Sequence, residues 1–227
     1  MNKANICEVF YSIQGEGVGL GKPSIFIRFW GCNLRCCFNG EQCDTPYSVT
    51  GNEYKEMTIE ETIKKVKFFD CNHIVFTGGE PTLYQNFIVE LMKKLKYYTS
   101  EVETNGTIPL IKNFANIINI FNLSVKLESS NQSNKKYDKL RINPIAIDTF
   151  PQDKSYFKFV VSADDDIKEI LKLNTLYSNI PVLLMPEGIT RDEIIEHSPA
   201  VVELCMKYNF IFCPREHIII WNNKRGV

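Results

Sequence analysis

Cys32, Cys36, Cys37 and Cys43 place four of the chain's eight cysteines within twelve positions, in the stretch GCNLRCCFNGEQCDTPY. Thiols gathered this way can hold a metal, close a disulfide or do redox chemistry. The amino-terminal stretch MNKANICEVFYSIQGEG lacks the apolar core of a signal peptide, and nowhere do about 18 apolar residues run together. The expectation is therefore a soluble, cytoplasmic protein with reduced thiols and no membrane partner, which makes a disulfide the weakest of the three readings. Structural zinc usually takes two close pairs of ligands, and no second pair or histidine pair follows this loop. Three thiolates from one loop suit a [4Fe-4S] cluster with one iron left open, a catalytic arrangement, since electron-transfer clusters are typically closed by four. Cys71, Cys205 and Cys213 stand alone and read as small buried apolar residues.

Other residues could serve the same chemistry. In TGGEP, Gly78 and Gly79 would let backbone groups approach a ligand closely, and Glu80 could accept from an ammonium. The plainer alternative is a glycine turn with Pro81 opening a helix. Arg28 stands in the apolar run PSIFIRFWG, where an unpaired cation is costly, so a functional role is favoured over a surface one. Net charge is −1, and the one basic cluster, NNKRGV, is too small to suggest a nucleic-acid partner.

The elements that must position these residues alternate in type. TIEETIKKVKFFD opens with Thr58 and Glu61 in capping-box spacing and carries Ile59, Ile63 and Val66 on one helical face. HIVFT reads as a buried strand, NFIVELMKKLKYY as a helix with Phe87, Leu91 and Leu95 aligned, and SEVET as the next strand. IFNLSVKL, YFKFVVS, a helix in DDDIKEILKLN, PVLLM and a long helix capped by Thr190 and Glu193 follow. The pattern predicts an α/β fold: a partial β/α barrel of about six mainly parallel strands, fewer than the eight of a closed barrel. One domain over residues 1–227 is expected, with an irregular insertion or functional loop around 128–155.

The cysteine loop after a first barrel strand resembles that of the radical S-adenosylmethionine enzymes, and GCNLRC together with CDTPY resembles the 7-carboxy-7-deazaguanine synthases. The family spacing is C-x3-C-x2-C, whereas Cys32, Cys36 and Cys43 are spaced C-x3-C-x6-C, so FNGEQ lies in a lengthened loop. Cys37 could replace Cys36 as the second ligand. The resemblance implies that Gly78, Gly79 and Glu80 hold the amino group of S-adenosylmethionine. It also implies that Glu103, Thr104 and Asn105 in ETNGT line the cofactor site, with Ser124 and Lys126 in SVKL. Val125 stands where the family usually has proline.

SIQGEG narrows the resemblance to the deazaguanine synthases, with Gln14, Gly15 and Glu16 facing a substrate rich in ring N–H groups and Arg28 its carboxylate. Thr45 resembles a family position that binds magnesium, with Asp44 ordering the loop. CPREHIIIWNNKRGV resembles a terminal segment that closes over substrate, with His217 on the substrate side and the Val227 carboxylate reading its guanidine-like edge. LLMPEG fits as well, with Met185 where some members have glutamine.

The implied reaction converts 6-carboxy-5,6,7,8-tetrahydropterin to 7-carboxy-7-deazaguanine by radical ring contraction with loss of ammonia. The implied cofactors are a [4Fe-4S] cluster, S-adenosylmethionine and Mg2+. A homodimer and an electron donor such as flavodoxin or ferredoxin are also implied. Two other readings are a glycyl-radical activating enzyme, against which QGEG and NKRGV speak, and a non-catalytic iron-sulfur or zinc protein.

Overall fold

The structure is a computed structural model that describes residues 3–38, 41–130, 135–163 and 165–227. Asn39 and Gly40 of the lengthened cysteine loop, Asn131 to Asn134 of the expected insertion and Asp164 lie outside the described residues.

Among the described residues the strands are β1 (Lys3–Ile13), β2 (Pro23–Phe29), β3 (Cys37–Phe38), β4 (Glu41–Gln42), β5 (Lys55–Thr58), β6 (His73–Gly78), β7 (Thr99–Thr104), β8 (Ile120–Leu123), β9 (Ser155–Val161), β10 (Val182–Pro186) and β11 (Ile211–Phe212). The helices are α1 (Pro46–Val49), α2 (Ile59–Val66), α3 (Gln85–Lys94), α4 (Lys112–Ile117), α5 (Lys135–Asp138), α6 (Pro144–Ile147), α7 (Asp166–Leu176), α8 (Arg191–Tyr208) and α9 (Glu216–Trp221). Nine strands form one sheet in the order β11-β10-β9-β8-β7-β6-β2-β1-β5. Neighbours from β2 to β11 pair in parallel, while β1 pairs antiparallel with β2 and β5.

The six strands expected from sequence are present as β2 and β6 to β10, with the two-residue β11 as a seventh parallel strand. The order is open at β5 and β11, so this is a partial barrel. Sequence reading overlooked β1, whose half-exposed pattern lacks a clean apolar alternation. The described residues of the region 128–155 form short helical turns between β8 and β9, and α6 buries Ala146 and Ile147.

The helices form where their local chemistry says they should. Thr58 accepts from the Glu61 N–H while Glu61 accepts from the Thr58 N–H, so α2 starts with a complete capping box; Thr190 and Glu193 do the same for α8. Alternation along each strand then separates two faces. Ile25, Ile27, Ile74, Phe76, Val102, Phe121, Phe157, Phe159 and Leu184 enter the main core with helix residues such as Phe87, Leu91 and Ile170. The opposite face is polar toward the middle strands, with Arg28, Thr77, Glu101, Glu103, Asn122 and Lys158. That polar face is the wall on which the site is built.

Candidate active site

A cavity of about 720 Å³ opens at the carboxyl ends of the parallel strands. It is lined by Cys32, Cys36, Cys37 and Cys43, by Gly78 and Gly79, by Glu103, Thr104 and Asn105, and by Ser124 and Lys126. Gln14, Gly15, Glu16, Arg28, Thr45, His217 and Val227 complete the set of sequence candidates on its wall. These residues come from segments spread along almost the whole chain.

Glu80 is the exception and does not line the cavity. It is fully buried behind the wall, where Oε1 accepts from the Thr82 N–H at 3.0 Å and from the Thr82 and Thr104 hydroxyls at 2.6 and 2.7 Å. Oε2 accepts from the Asn105 N–H at 2.7 Å. Glu80 thus ties the turn after β6 to the turn after β7. The glycines before it do reach the cavity. Gly79 donates to the Phe29 carbonyl at 3.0 Å and the Glu80 N–H to the Gly31 carbonyl at 2.8 Å, which laces this turn to the residues just before Cys32.

The cysteine loop folds back on itself, with the Cys43 N–H donating to the Cys36 carbonyl at 3.1 Å and β3 pairing with β4 between them. Burial pushes the Cys32 thiol up to about 12 and the Cys43 thiol up to about 11, and Cys36 discourages ionisation of both. Thiols in such a setting become thiolates when a positive metal centre takes the place of the proton. Among the described residues no three Cys, His, Asp or Glu side chains converge on one point as ligands of a single ion do. Thiols from one loop that all face one cavity are a donor set of the kind that holds an iron-sulfur cluster.

The substrate-side candidates are more engaged than sequence suggested. The turn after β1 folds inward, and its glycines are forced by contact: an added Cβ on Gly15 would meet the His217 ring at 2.1 Å, and one on Gly19 would meet Glu101 at 2.4 Å. Gln14 donates to Glu101 at 2.6 Å and to Glu103 at 3.2 Å, and its carbonyl accepts from the Glu16 N–H. Gln14 therefore fixes the turn before it can serve a ligand.

Glu16 is held by two cations that sequence reasoning missed. Lys158 on β9 pairs with Oε2 and Arg215 donates to Oε1 at 2.8 Å. Despite burial, these charges hold the Glu16 carboxyl well below the usual carboxylate range. Arg215 also donates to Asp44 at 2.5 Å and to the Gly188 carbonyl at 2.7 Å, joining the turn after β1, the cysteine loop and the segment after β10. A signal for Lys158 existed: YFKFVV puts a lysine in a buried strand, which needs an anion close by.

Arg28 finds its anion in Glu8, to which Nε donates at 2.7 Å, so the cation in the apolar run is paired within the protein while still facing the cavity. Lys126 donates to the Ser124 hydroxyl at 2.7 Å, keeping these two together as expected. Thr45 starts α1, and its hydroxyl lies 3.6 Å from the Cys43 sulfur.

Beneath Gln14 lies a buried acid–base pair. Ser24 donates to the Lys22 carbonyl at 2.9 Å, so at 2.7 Å from His73 Nδ1 it accepts, which leaves His73 Nε2 with a lone pair. That lone pair faces Glu101 Oε2 at 3.9 Å, and neither atom has another partner. Burial, reinforced by Glu103, pushes the Glu101 carboxyl up to about 7, and burial pushes the His73 imidazole down to about 4. Both shifts favour the uncharged forms, as burial does.

Unfolding releases the Glu101 proton between its ordinary value of 4.5 and about 7, so this group takes stability away as pH rises through that window. His73 acts oppositely, taking up a proton on unfolding between about 4 and 6.5 and adding stability as pH rises. Glu101→Gln, which keeps a donor toward His73, is expected to gain stability over the parent protein as pH rises, by at most about 3 kcal/mol near pH 8. Denaturant unfolding at about pH 5 and pH 8 checks this; parallel pH dependence of the two proteins would refute a protonated Glu101.

The fold and this loop define a class. The Radical SAM superfamily matches residues 27–148, and the chain belongs to that superfamily. The 7-carboxy-7-deazaguanine synthase of Pyrobaculum aerophilum is 34% identical over 99% of this chain and 97% of its own. Those of Halobacterium salinarum and Clostridium acetobutylicum are also 34% identical, over 96% and 98% of this chain and 90% and 98% of theirs. Within the superfamily the chain belongs to the 7-carboxy-7-deazaguanine synthase family. The crystal structure of QueE from Escherichia coli superposes with a TM-score of 0.73 at 20% identity, covering 95% of each chain, which shows the same fold. Among the described residues no helix is long and apolar enough to cross a membrane.

Proposed function

We propose that the chain converts 6-carboxy-5,6,7,8-tetrahydropterin to 7-carboxy-7-deazaguanine with loss of ammonia. The observation that carries this is the meeting, on one cavity, of a three-thiol loop, the Gly78–Gly79 turn and the polar turn at Gln14 to Glu16. When bound, a [4Fe-4S] cluster with an open iron and S-adenosylmethionine supply hydrogen abstraction by radical chemistry. Cys32, Cys36 and Cys43 would hold the cluster. Gly78 and Gly79 let the cofactor approach the backbone, with Thr104, Asn105, Ser124 and Lys126 on the adjoining wall.

Arg28 would orient the substrate carboxylate, held in place from behind by Glu8. Glu16 offers lone pairs to ring N–H groups while Lys158 and Arg215 keep it ionised, and Glu103, anchored by the Thr77 hydroxyl at 2.6 Å, extends the acceptor surface. His217, packed on Gly15, closes the substrate side. A magnesium ion at Thr45, flavodoxin or ferredoxin as reductant, a homodimer, a cytoplasmic setting and one catalytic domain over residues 1–227 belong to the same reading.

Anaerobically reconstituted protein should be mixed with reductant, magnesium, S-adenosylmethionine and 6-carboxytetrahydropterin and the products followed by mass spectrometry. Formation of 7-carboxy-7-deazaguanine is the expected result. Cleavage of S-adenosylmethionine without that product would overturn the substrate, and neither activity from cluster-loaded protein would overturn the enzyme reading.

A further inference from the structure

The segment after α9 runs along the cavity: Asn222, Asn223, Lys224, Arg225, Gly226 and Val227 all line it. Its root is fixed by Arg191 at the start of α8, whose N–H donates to the Asn222 side chain at 3.0 Å and whose guanidinium donates to the Ile219 and Ile220 carbonyls at 2.6 and 2.8 Å. Its far end is fixed differently. The Arg225 guanidinium lies 3.6 Å from the centre of the Tyr47 ring, Nη1 donates to Glu53 at 2.8 Å, and Nε donates to Glu8 at 3.2 Å.

Glu53 is an exposed carboxylate, but Tyr47 and Glu8 belong to the site. Tyr47 belongs to α1, two residues beyond Thr45, and its hydroxyl donates to Glu8 Oε1 at 3.0 Å. The same Glu8 Oε1 accepts from Arg28 at 2.7 Å. Glu8 therefore carries Arg28 on one oxygen and Arg225 on the other, with Tyr47 wedged beside both guanidinium groups. Exposed ion pairs hold a chain weakly, and Arg225 is 43% exposed. A planar cation flat on a ring with a carboxylate at each of two edges is a stiffer joint, and a lysine could not reproduce it.

We propose that Arg225 is a positioning residue: it clamps residues 222–227 over the cavity, and through the shared Glu8 it couples that closure to Arg28. The proposal rests on the substrate reading above, in which Arg28 meets a carboxylate. A substrate that settles against Arg28 orders Glu8, and Glu8 in turn seats the clamp. Loss of the clamp lowers the fraction of molecules with the segment closed, and apparent affinity falls in proportion to that fraction.

The test uses cluster-loaded protein and two readouts. Hydrogen exchange of peptides spanning residues 222–227, followed by mass spectrometry without substrate, reports the clamp alone. Steady-state kinetics with 6-carboxytetrahydropterin report its coupling. Arg225→Ala is expected to exchange about tenfold faster in this segment and to raise KM for the pterin about tenfold, with kcat and the KM for S-adenosylmethionine within about twofold. Arg225→Lys should fall between, and Tyr47→Leu, which removes the platform while leaving Arg225, should match Arg225→Ala in exchange. Unchanged exchange in both would overturn the clamp; faster exchange with an unchanged pterin KM would overturn the coupling. Faster exchange in a protein that does not turn over the pterin at all would instead count against the substrate reading and leave the clamp standing.

Discussion

Alanine at Cys32, Cys36 or Cys43 is expected to yield folded protein without bound iron or acid-labile sulfide after anaerobic reconstitution, and without turnover. Alanine at Cys37 should retain both. The proposed cluster takes three ligands, and in this reading Cys37 is not one of them, so no removal among Cys32, Cys36 and Cys43 is compensated. The thiols also cannot prepare themselves: with Cys32 pushed up to about 12 and Cys43 up to about 11, metal and thiolate form together or not at all. Cys37 lines the same cavity, and the reading gives the second ligand to Cys36, which stands in the C-x3-C pair with Cys32. Iron and sulfide analysis of the four variants decides. A Cys36→Ala protein that keeps its cluster while Cys37→Ala loses it would reassign the second ligand.

Gly79→Ala should be nearly as damaging without touching a ligand. A Cβ at this position would stand 2.1 Å from the Gly31 carbonyl oxygen and 2.7 Å from that of Ser48, both backbone atoms with no rotamer to yield. Gly31 immediately precedes Cys32, and its N–H is already committed to Ser48 at 2.7 Å. The strain is therefore relieved by moving the strand end that presents the first thiolate. Crowding of this kind costs about 1–3 kcal/mol of stability. The larger effect falls on turnover: a shift of about 1 Å in reacting groups can cost about a hundredfold. Gly78→Ala meets the Phe29 carbonyl at 2.2 Å and adds backbone strain at φ +125°, so it should be at least as severe. Parental turnover in Gly79→Ala would show that the two turns do not need their close approach.

How much of this could be read from the sequence depended on distance along the chain. The capping boxes at Thr58 and Thr190 are complete within four residues, and both helices begin where those residues indicate. The strands β6 and β10 are short apolar runs that can be recognised one at a time. Strand β1 was missed because its burial comes from β2 and β5 on either side and its own residues only half declare it. The cavity wall was legible as motifs, but the commitments of its side chains were not. TGGEP says nothing of Thr104 and Asn105, which donate to Glu80 from the next strand end. Glu16 looked free because its partners stand 142 and 199 residues away.

Those separations bear on how the protein comes into being. The turn at Gln14 to Gly19 leaves the ribosome before any of its anchors. These arrive in series: Glu101 for Gln14, Lys158 for Glu16, then Cys213 for the Gly17 N–H and Arg215 for Glu16 again. Contacts of such high sequence separation form late and slowly. The cysteine loop, by contrast, has its thiols within twelve residues and emerges early. During synthesis the thiols are thus presented while the turn still lacks its last partners. Assembly of the metal centre and sealing of the chamber around it are separate events, and the second waits for Arg215.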